Sequence, residues 1–505
     1  MNRKKQVLQA VAGILCLLVG GLIALYPAHR YTERRYVTDA GSCRMDLVMV
    51  NRADLLSSPE TGSVVLFHGL AANKMTMQFL AQALAELGLR VFVPDFPGHG
   101  RSPGPFTPDQ AESCGSSLLR GLAARGMIIL DRTILAGHSM GGAVALRVAD
   151  RFRPAGVIAI SPAPMVAAHG VSPENLLYHT LPLLVPNTRI LVGQFEPKGL
   201  VDNAADLAAS SPYSWVKYSV VPWNSHVSVL FSPTVAREAQ DWAARVLSLP
   251  NAARLPNRSA LLGCLLGLVG IFLIAGPFLY EMIGNKPQTD LDPAGTVPWL
   301  RGALEVALLG IFVVHVLHYW QPLRALHLFE GAYLASFFLI VGLGLILLHL
   351  RPAREGFRTR PGLVLGAVVA GVLLQGLIMA WLGLTATEDW LDLPRLERFP
   401  LFLLAAFLFL YGMEVLAGPV LNGRKRFLFW VGLIVLSWLS LVAAVLYLHS
   451  GEILLVLLSP YFALEFILTG LGIQLVRRQS ASPTVAALFG AILLTGFCLV
   501  LFPLS

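Results

Sequence analysis

Eight long apolar runs in the second half of the chain constrain its fold more than any other feature. They cover residues 259–283, 298–319, 325–350, 361–385, 399–421, 427–448, 452–476 and 483–503. Each run is long enough to cross a hydrocarbon core of roughly 30 Å as a helix. Because backbone in contact with lipid must satisfy its hydrogen bonds internally, these runs predict an all-α polytopic membrane domain over residues 259–505.

A ninth apolar run, residues 6–26, follows the basic stretch RKK at positions 3–5. A charged start and an apolar middle also fit a cleaved signal peptide. The run is long for a signal peptide, however, and YPAH at 26–29 is a poor small-residue cleavage site. We therefore predict an uncleaved N-terminal transmembrane anchor over residues 1–29.

The basic residues divide the loops between the apolar runs into two classes. Three loops are rich in Lys and Arg, namely RPAREGFRTR (351–360), NGRKR (422–426) and VRRQS (476–480), whereas QPLRA, residues 387–397 and HSGE are poor in them. Loops rich in these residues stay in the cytoplasm. This rule places the 285–297 loop inside and residues 36–250 outside, and RKK independently predicts a cytoplasmic N-terminus. We expect a multi-pass protein of the plasma or inner membrane.

The overall charge and the cysteines exclude several function classes. The 38 Lys and Arg exceed the 30 Asp and Glu, but they mostly flank apolar runs, which indicates topology and not nucleic-acid binding. The five cysteines show no CxxC or Cys/His spacing, so neither a zinc site nor a redox motif is predicted. Cys43 and Cys114 are the only pair in the polar part, and a disulfide between them becomes possible outside the cytoplasm.

Residues 36–250 have a different sequence pattern, in which short runs rich in β-branched residues alternate with amphipathic helical stretches. The candidate buried strands are VVLFHG (64–69), RVFVPDF (90–96), RTILAG (132–137), AGVIAIS (155–161) and RILVG (189–193). Strands separated by helices favour a parallel sheet with helices on its faces. The sequence therefore predicts an α/β domain over residues 36–250.

Between RTILAG and the helical stretch GGAVALRVADRF lies GHSMG (137–141), which fits the pattern G-x-S-x-G. In this context the pattern predicts a sharp strand-to-helix turn that presents the Ser139 hydroxyl at the edge of the sheet. The flanking glycines remove side chains that would collide with neighbouring backbone. The following helix also directs its amino end at the site, where the Met140 N–H can stabilise a developing oxyanion.

Three motifs in order resemble those of the α/β-hydrolase family, in particular its branch of monoacylglycerol lipases and S33 peptidases. They are VLFHGLAANK (65–74), VPDFPGHGRSPG (93–104) and the GHSMGG turn, and the resemblance covers about residues 60–247. It implies a serine hydrolase in which the Leu70 N–H is the second oxyanion donor beside Met140. No family is recognised for residues 259–505.

The catalytic base is selected by its position. Six histidines occur in this region: His68, His99 and His138 in the motif loops, His169 and His179 before the strand RILVG, and His226 after it. The family order of serine, acid and histidine leaves His226, which follows the candidate last strand WVKYSVVPW (215–223). We predict that His226 is the base.

The acid has two candidates. LVGQFEPKGLVD resembles the strand-end stretch of the family, with Glu196 where aspartate is usual, and glutamate is allowed in such triads. Asp202, six residues later, is the alternative. We predict the triad Ser139–Glu196–His226, with Asp202 kept open.

The leading functional hypothesis is a membrane-anchored serine hydrolase that cleaves carboxylic esters through an acyl-enzyme and needs no cofactor or metal. Only about 27 residues separate AGVIAIS from RILVG, too few for a large helical lid. We therefore expect an amphiphilic ester or lipid substrate, with membrane lipids as partners and no nucleic acid. One alternative is a transporter or receptor with a non-catalytic binding module. Another is a peptidase or acyltransferase with the same triad.

Several ionisable residues fall in or near the apolar runs. Glu414 and Glu465 lie well inside theirs, which by default suggests a function for them. His315 and His318, and likewise His327 and Glu330, stand three residues apart and share a helix face. Such pairs permit a metal site, but interfacial histidines that only reach water are commoner.

Overall fold

The computed structural model describes residues 3–26, 30–40, 43–55, 58–165, 176–212, 215–250, 254–283, 298–357, 359–388, 390–418, 423–448 and 450–505. The 285–297 loop, predicted to be cytoplasmic, and residues 166–175 of the stretch expected to lack a lid lie outside these residues. The chain forms two compact units. The sheet unit comprises Gly20–Cys264, Leu382–Trp390 and Pro503–Ser505, and the helical unit comprises Met1–Val19, Leu265–Trp381 and Leu391–Phe502.

The sheet unit contains the predicted α/β domain. Its strands are β1 (Tyr31–Ala40), β2 (Cys43–Arg52), β3 (Ser63–Phe67), β4 (Arg90–Pro94), β5 (Thr133–His138), β6 (Gly156–Ile160), β7 (Thr188–Gly193) and β8 (Lys217–Val221). Its helices are α2 (Gln78–Ala85), α3 (Pro108–Ala124), α4 (Met140–Phe152), α5 (Lys198–Ala209) and α6 (Pro233–Leu247). The five strands predicted from the sequence correspond to β3 to β7.

The eight strands form one sheet in the order β1-β2-β4-β3-β5-β6-β7-β8. The pairs from β4 to β8 are parallel, and β1 and β2 add an antiparallel hairpin at one edge. The register pairs Phe67 with Gly137 and His138 with Ile160, so the carboxyl ends of β3, β5 and β6 meet at one edge. In open parallel sheets this edge is where ligands bind. The predicted fold class is confirmed.

Both faces of the sheet are covered, because successive side chains of a strand point to opposite sides. Val64, Leu66 and Ile134 are fully buried in a cluster with side chains of α2 and α6. On the opposite face Phe67 lies near α3 at Gly115, which also approaches Val144 of α4. The central strands are therefore inaccessible, and polar groups reach solvent only at strand ends.

A disulfide joins Cys43, the first residue of β2, to Cys114 in α3. The sequence offered this pair only as a possibility. The bond connects the edge hairpin to a helix that packs on the sheet. Such bonds form and persist in oxidising compartments, outside the cytoplasm.

The long helices are apolar. They are α1 (Arg3–Leu25), α7 (Ser259–Ile283), α8 (Trp299–Tyr319), α9 (Gly331–Leu348), α11 (Pro361–Thr385), α12 (Leu393–Ala417), α13 (Gly423–Tyr447), α15 (Ser459–Ser480) and α16 (Pro483–Leu501), with the short helices α10 (Leu350–Phe357) and α14 (Ile453–Leu457) between them. In the described part of the chain nine helices are long and apolar enough to cross a membrane. This count matches the nine runs in the sequence and indicates a multi-pass membrane protein.

The ionisable residues of the helical unit have protein partners that favour a structural role. The Glu414 carboxylate, 1% exposed, pairs with Arg426, and Arg477 lies 3.7 Å from it. Glu465 accepts a hydrogen bond of 2.7 Å from the Thr469 hydroxyl, and His315 Nδ1 lies 3.1 Å from the carbonyl oxygen of Ile311. Because Arg426 and Arg477 already neutralise the buried Glu414 carboxylate, no ligand is needed to balance its charge.

Candidate active site

Ser139 occupies the turn between β5 and α4, as the G-x-S-x-G pattern predicts. Its backbone has φ 53° and ψ −119°, a conformation that costs energy for any residue other than glycine. Three hydrogen bonds hold it there. The Ser139 N–H donates to the carbonyl of Ile160 over 2.9 Å, and the Ser139 carbonyl accepts from the N–H groups of Ala143 and Ala163. The surroundings thus fix the strained turn that directs the hydroxyl toward His226.

The glycines that flank Ser139 are required by close backbone contacts. A Cβ atom at Gly137 would lie 2.2 Å from the carbonyl oxygen of Gly141, and one at Gly141 would lie 2.3 Å from that of Phe67. Both distances are far below contact distance. The spacing of the motif therefore reflects steric necessity at the crossing of β3, β5 and α4.

The structure brings Ser139, His226 and Glu196 together from three separate loops. His226 Nε2 lies 2.9 Å from the Ser139 hydroxyl oxygen, and His226 Nδ1 lies 2.9 Å from Glu196 Oε2. Glu196 follows β7, and His226 follows β8. All three side chains are buried, with at most 9% of each residue exposed. Asp202, the alternative acid, lies in α5 and faces Lys198 at 3.6 Å.

The Glu196 carboxylate has more partners than the imidazole alone. Its Oε1 atom accepts a hydrogen bond from the Gly193 N–H over 2.6 Å and another from the Ser161 hydroxyl. Burial alone would raise the pKa of Glu196. The charge of His226 and the hydrogen bonds from His226, Ser161 and Gly193 outweigh burial and hold this pKa below its ordinary value. The carboxylate therefore stays ionised at neutral pH, which suits an acceptor for the Nδ1–H of His226.

His138, the residue before the serine, supports the histidine loop. Its Nε2 lies 2.7 Å from the backbone carbonyl oxygen of His226, which can only accept, so Nε2 carries the proton. Burial, followed by the nearby His226, lowers the pKa of His138 to about 3. His138 is therefore neutral at ordinary pH and donates a fixed hydrogen bond to the backbone of His226.

Backbone N–H groups suited to an oxyanion lie next to the serine. Met140 begins α4, and the first N–H groups of a helix have no acceptor within the helix. The loop after β3 approaches from the other side, since a Cβ at Gly69 would lie 3.1 Å from Cβ of Ser139. Leu70 is the next residue. The loop that carries Leu70 and the first turn of α4 that carries Met140 therefore both lie next to Ser139, and their N–H groups remain candidate oxyanion donors.

The loop from His68 to Lys74, here called the oxyanion loop, is fixed at its upstream end by His68. His68 Nε2 accepts a hydrogen bond of 2.9 Å from the Phe96 N–H, and His68 Nδ1 donates one of 2.8 Å to the Gly69 carbonyl. Burial lowers the pKa of His68, so the ring remains neutral and keeps this tautomer. His68 is fully buried. His68 therefore attaches the loop to the segment that follows β4.

Lys74, at the downstream end of the loop, has a buried ammonium group surrounded by three carboxylates. Nζ lies 2.5 Å from Asp95, 2.9 Å from Asp46 and 2.7 Å from Glu388. The oxygens of these carboxylates lie within 4.8 Å of one another, a spacing that could hold a metal ion. The ammonium group already supplies a cation among them. Lys74 also donates its backbone N–H to Asp95 over 2.7 Å.

Sequence reasoning missed three groups of the site: Ser161, His138 as a support, and the Lys74 cluster. For Ser161 a signal was present, because a serine that ends a buried strand at the ligand-binding edge is a candidate partner for a catalytic group. Glu388 carried no such signal. It lies between two apolar runs, far from the α/β segment in sequence.

Known proteins resemble this region. Over 177 residues the chain is 33% identical to a monoacylglycerol lipase of Mycolicibacterium smegmatis. The aligned region covers 34% of this chain and 59% of that protein. Over 101 residues it is 30% identical to esterase YjfP of Escherichia coli, and this aligned region covers 17% of the chain and 39% of the esterase. The chain thus spans less than two thirds of the length of either relative.

A solved structure of an a/b serine hydrolase without lid from Xanthomonas campestris is 20% identical in sequence and superposes with a TM-score of 0.35. The superposition covers 43% of this chain and 95% of that hydrolase. The Alpha/beta hydrolase family matches residues 64–325. Because this match spans more than half of the chain, the protein belongs to the α/β hydrolase family.

Proposed function

We propose that the protein is a membrane-anchored serine hydrolase that cleaves carboxylic esters. One observation carries the proposal: two contacts of 2.9 Å join His226 to the Ser139 hydroxyl on one side and to the Glu196 carboxylate on the other. A nucleophile within reach of a base, which a third group orients, is the arrangement that activates a serine hydroxyl. The similarity to a lipase and an esterase supports the same reaction.

In the proposed reaction the Ser139 oxygen attacks the ester carbonyl carbon while His226 Nε2 takes the hydroxyl proton. The carbonyl oxygen becomes an oxyanion, which the N–H groups of Leu70 and Met140 stabilise. When the carbon–oxygen bond breaks, His226 returns the proton to the departing alcohol. Glu196 keeps the proton on Nδ1 so that Nε2 faces the serine.

The acyl-enzyme is then hydrolysed by the same groups. His226 removes a proton from water, and the resulting hydroxide attacks the acyl carbon through a second oxyanion. The proton returns to the Ser139 oxygen as the acid departs. The hydroxyl is regenerated, and no cofactor or metal takes part in any step.

The proposed substrate class is amphiphilic esters, including acylglycerols. In the described parts of residues 162–187 there is no helix or strand that could form a lid over Ser139. The relative from Mycolicibacterium smegmatis is named a monoacylglycerol lipase. A substrate held by its acyl chain gains roughly 0.8 kcal/mol for each methylene group that is buried.

Chain length should therefore govern the rate. For the full-length protein in lipid nanodiscs, we expect kcat/KM for glycerol monoesters to rise by several-fold for each pair of added methylenes, until the acyl site is filled. The rates are measured below the critical micelle concentration of each ester, with Ser139→Ala as the blank. A kcat/KM that is flat from acetyl to dodecanoyl esters would contradict a lipid-like substrate.

We further propose that residues 36–250 are extracytoplasmic. The Lys and Arg asymmetry of the loops supports this orientation, and the Cys43–Cys114 disulfide fits an oxidising compartment. The loops with many basic residues then face the cytoplasm.

Single cysteines test the orientation. Glu60 is exposed in the sheet unit, and Arg351, whose side chain is 92% exposed, lies in α10 within the basic stretch 351–360. A membrane-impermeant maleimide should label Glu60→Cys in intact cells and should label Arg351→Cys only after permeabilisation. The unmodified protein controls for labelling of its own cysteines. The opposite pattern would show that the topology is inverted.

A further inference from the structure

A segment between two membrane helices contacts the oxyanion loop. Residues 382–390, which comprise the last turn of α11 and the first part of the connection to α12, belong to the sheet unit and not to the helical unit. Two of them reach the downstream end of the loop. The Asn73 side-chain amide donates to the Thr387 hydroxyl over 2.7 Å, and Lys74 Nζ lies 2.7 Å from Glu388 Oε2.

Asn73 and Lys74 are themselves rigidly held. Asn73 is fully buried, and its Oδ1 accepts the N–H groups of Met75 and Thr76, which caps the short helix after the loop. Lys74 is 1% exposed, and its three carboxylate partners offset the cost of burying the ammonium group. The positions of both side chains therefore determine the course of the backbone from Gly69 to Lys74.

Glu388 is buried and links several cations. It is 5% exposed, and besides Lys74 it pairs with Arg35 of β1 and with Arg101, whose Nε lies 3.4 Å from it. Together with Asp46 and Asp95 it balances the charges of Lys74 and the two arginines. Removal of one member of a buried ion cluster leaves the others incompletely compensated. Glu388 therefore holds the Lys74 side chain in position.

We infer that Thr387 and Glu388 are positioning residues for the oxyanion hole, supplied by the membrane half of the chain. The inference rests on the proposed function. His68 attaches the upstream end of the oxyanion loop to the segment that follows β4, and the 382–390 segment attaches the downstream end. Leu70 lies between these attachments. Its N–H stabilises the transition state only while the loop keeps a fixed distance from Ser139, since such donors act through preorganisation.

The kinetic test compares Glu388→Gln with Glu388→Asp and with Glu397→Gln, an exposed glutamate of α12 that serves as the control. For Glu388→Gln in the full-length protein we expect kcat to fall by about 10-fold or more while KM changes by less than about 2-fold, because a displaced donor weakens transition-state binding only. Glu388→Asp should recover much of the rate, and Glu397→Gln should match the wild type. A normal kcat in Glu388→Gln would overturn the inference.

Hydrogen exchange provides a readout that does not depend on a substrate. Amides of residues 69–75 should exchange faster in Glu388→Gln and in Thr387→Val than in the wild type or in Glu397→Gln. Unchanged exchange there would overturn the positioning role even if the rate fell. Faster exchange throughout the sheet unit would show a general loss of stability and would also overturn it. If the wild type hydrolyses no ester, but residues 69–75 alone exchange faster in the two variants, the proposed function fails. The attachment of the loop by Thr387 and Glu388 then still stands.

Discussion

Replacement of Ser139 by alanine should abolish ester hydrolysis and labelling by a fluorophosphonate probe, with the protein still folded. In the proposed mechanism the hydroxyl oxygen of Ser139 forms the bond to the acyl carbon. Loss of such a nucleophile lowers kcat by roughly 10⁴-fold to 10⁶-fold. The measurement is the initial rate on a soluble ester, together with probe labelling of membranes.

The alanine variant should keep its thermal unfolding temperature within a few degrees. Its Cβ remains, and the backbone hydrogen bonds of Ser139 to Ile160, Ala143 and Ala163 do not involve the hydroxyl. Ser116, a buried serine of α3, provides the matched control, because Ser116→Ala should label and turn over normally. Near-normal turnover in Ser139→Ala would mean that another group performs the chemistry.

The second large effect is expected at Glu196. Glu196→Gln should lower kcat by roughly 10⁴-fold, because an amide can donate its N–H to Nδ1 and so favour the wrong tautomer of His226. Asp202→Asn should change kcat by less than about 2-fold, since Asp202 contacts Lys198 at 3.6 Å and not the imidazole. The two rates are measured side by side on one ester.

The structure offers a further check on Glu196. Ser161→Ala removes one of the hydrogen bonds to Oε1 but leaves the Gly193 N–H and His226 in place. Its rate should fall between those of the wild type and Glu196→Gln. A larger loss in Asp202→Asn than in Glu196→Gln would transfer the role of the acid to Asp202.

The strand-to-helix turn at Ser139 was predictable because its requirements are local. A buried strand, glycines two residues on either side of the serine and an amphipathic helix determine the turn within about twenty residues, and the chain order of the motifs then selected His226. The membrane helices were predictable for a related reason, since length and apolar composition alone decide whether a segment can span a bilayer.

The parts that escaped prediction depend on contacts between distant residues. Strand β1 (YTERRYVTDA) is an edge strand with mostly exposed side chains, so its sequence lacks the apolar alternation that marks a strand. Some boundaries also shifted. Helix α15 begins at Ser459, seven residues after the apolar run starts at Glu452, because the separate short helix α14 precedes it and Pro460 is restricted to the first turn of a helix. Glu388 could not be assigned to the sheet unit, because only the folded chain brings it to Lys74.

The discontinuity of the sheet unit determines when it can be completed during synthesis. The ribosome finishes α6 long before it makes Glu388, and Leu504, whose carbonyl accepts the Phe106 N–H over 2.7 Å, is made later still. A nascent chain that has released only its α/β segment therefore lacks the attachment of the oxyanion loop. If the proposed function and the positioning role of Glu388 hold, we expect full hydrolytic competence only after the later helices have been inserted.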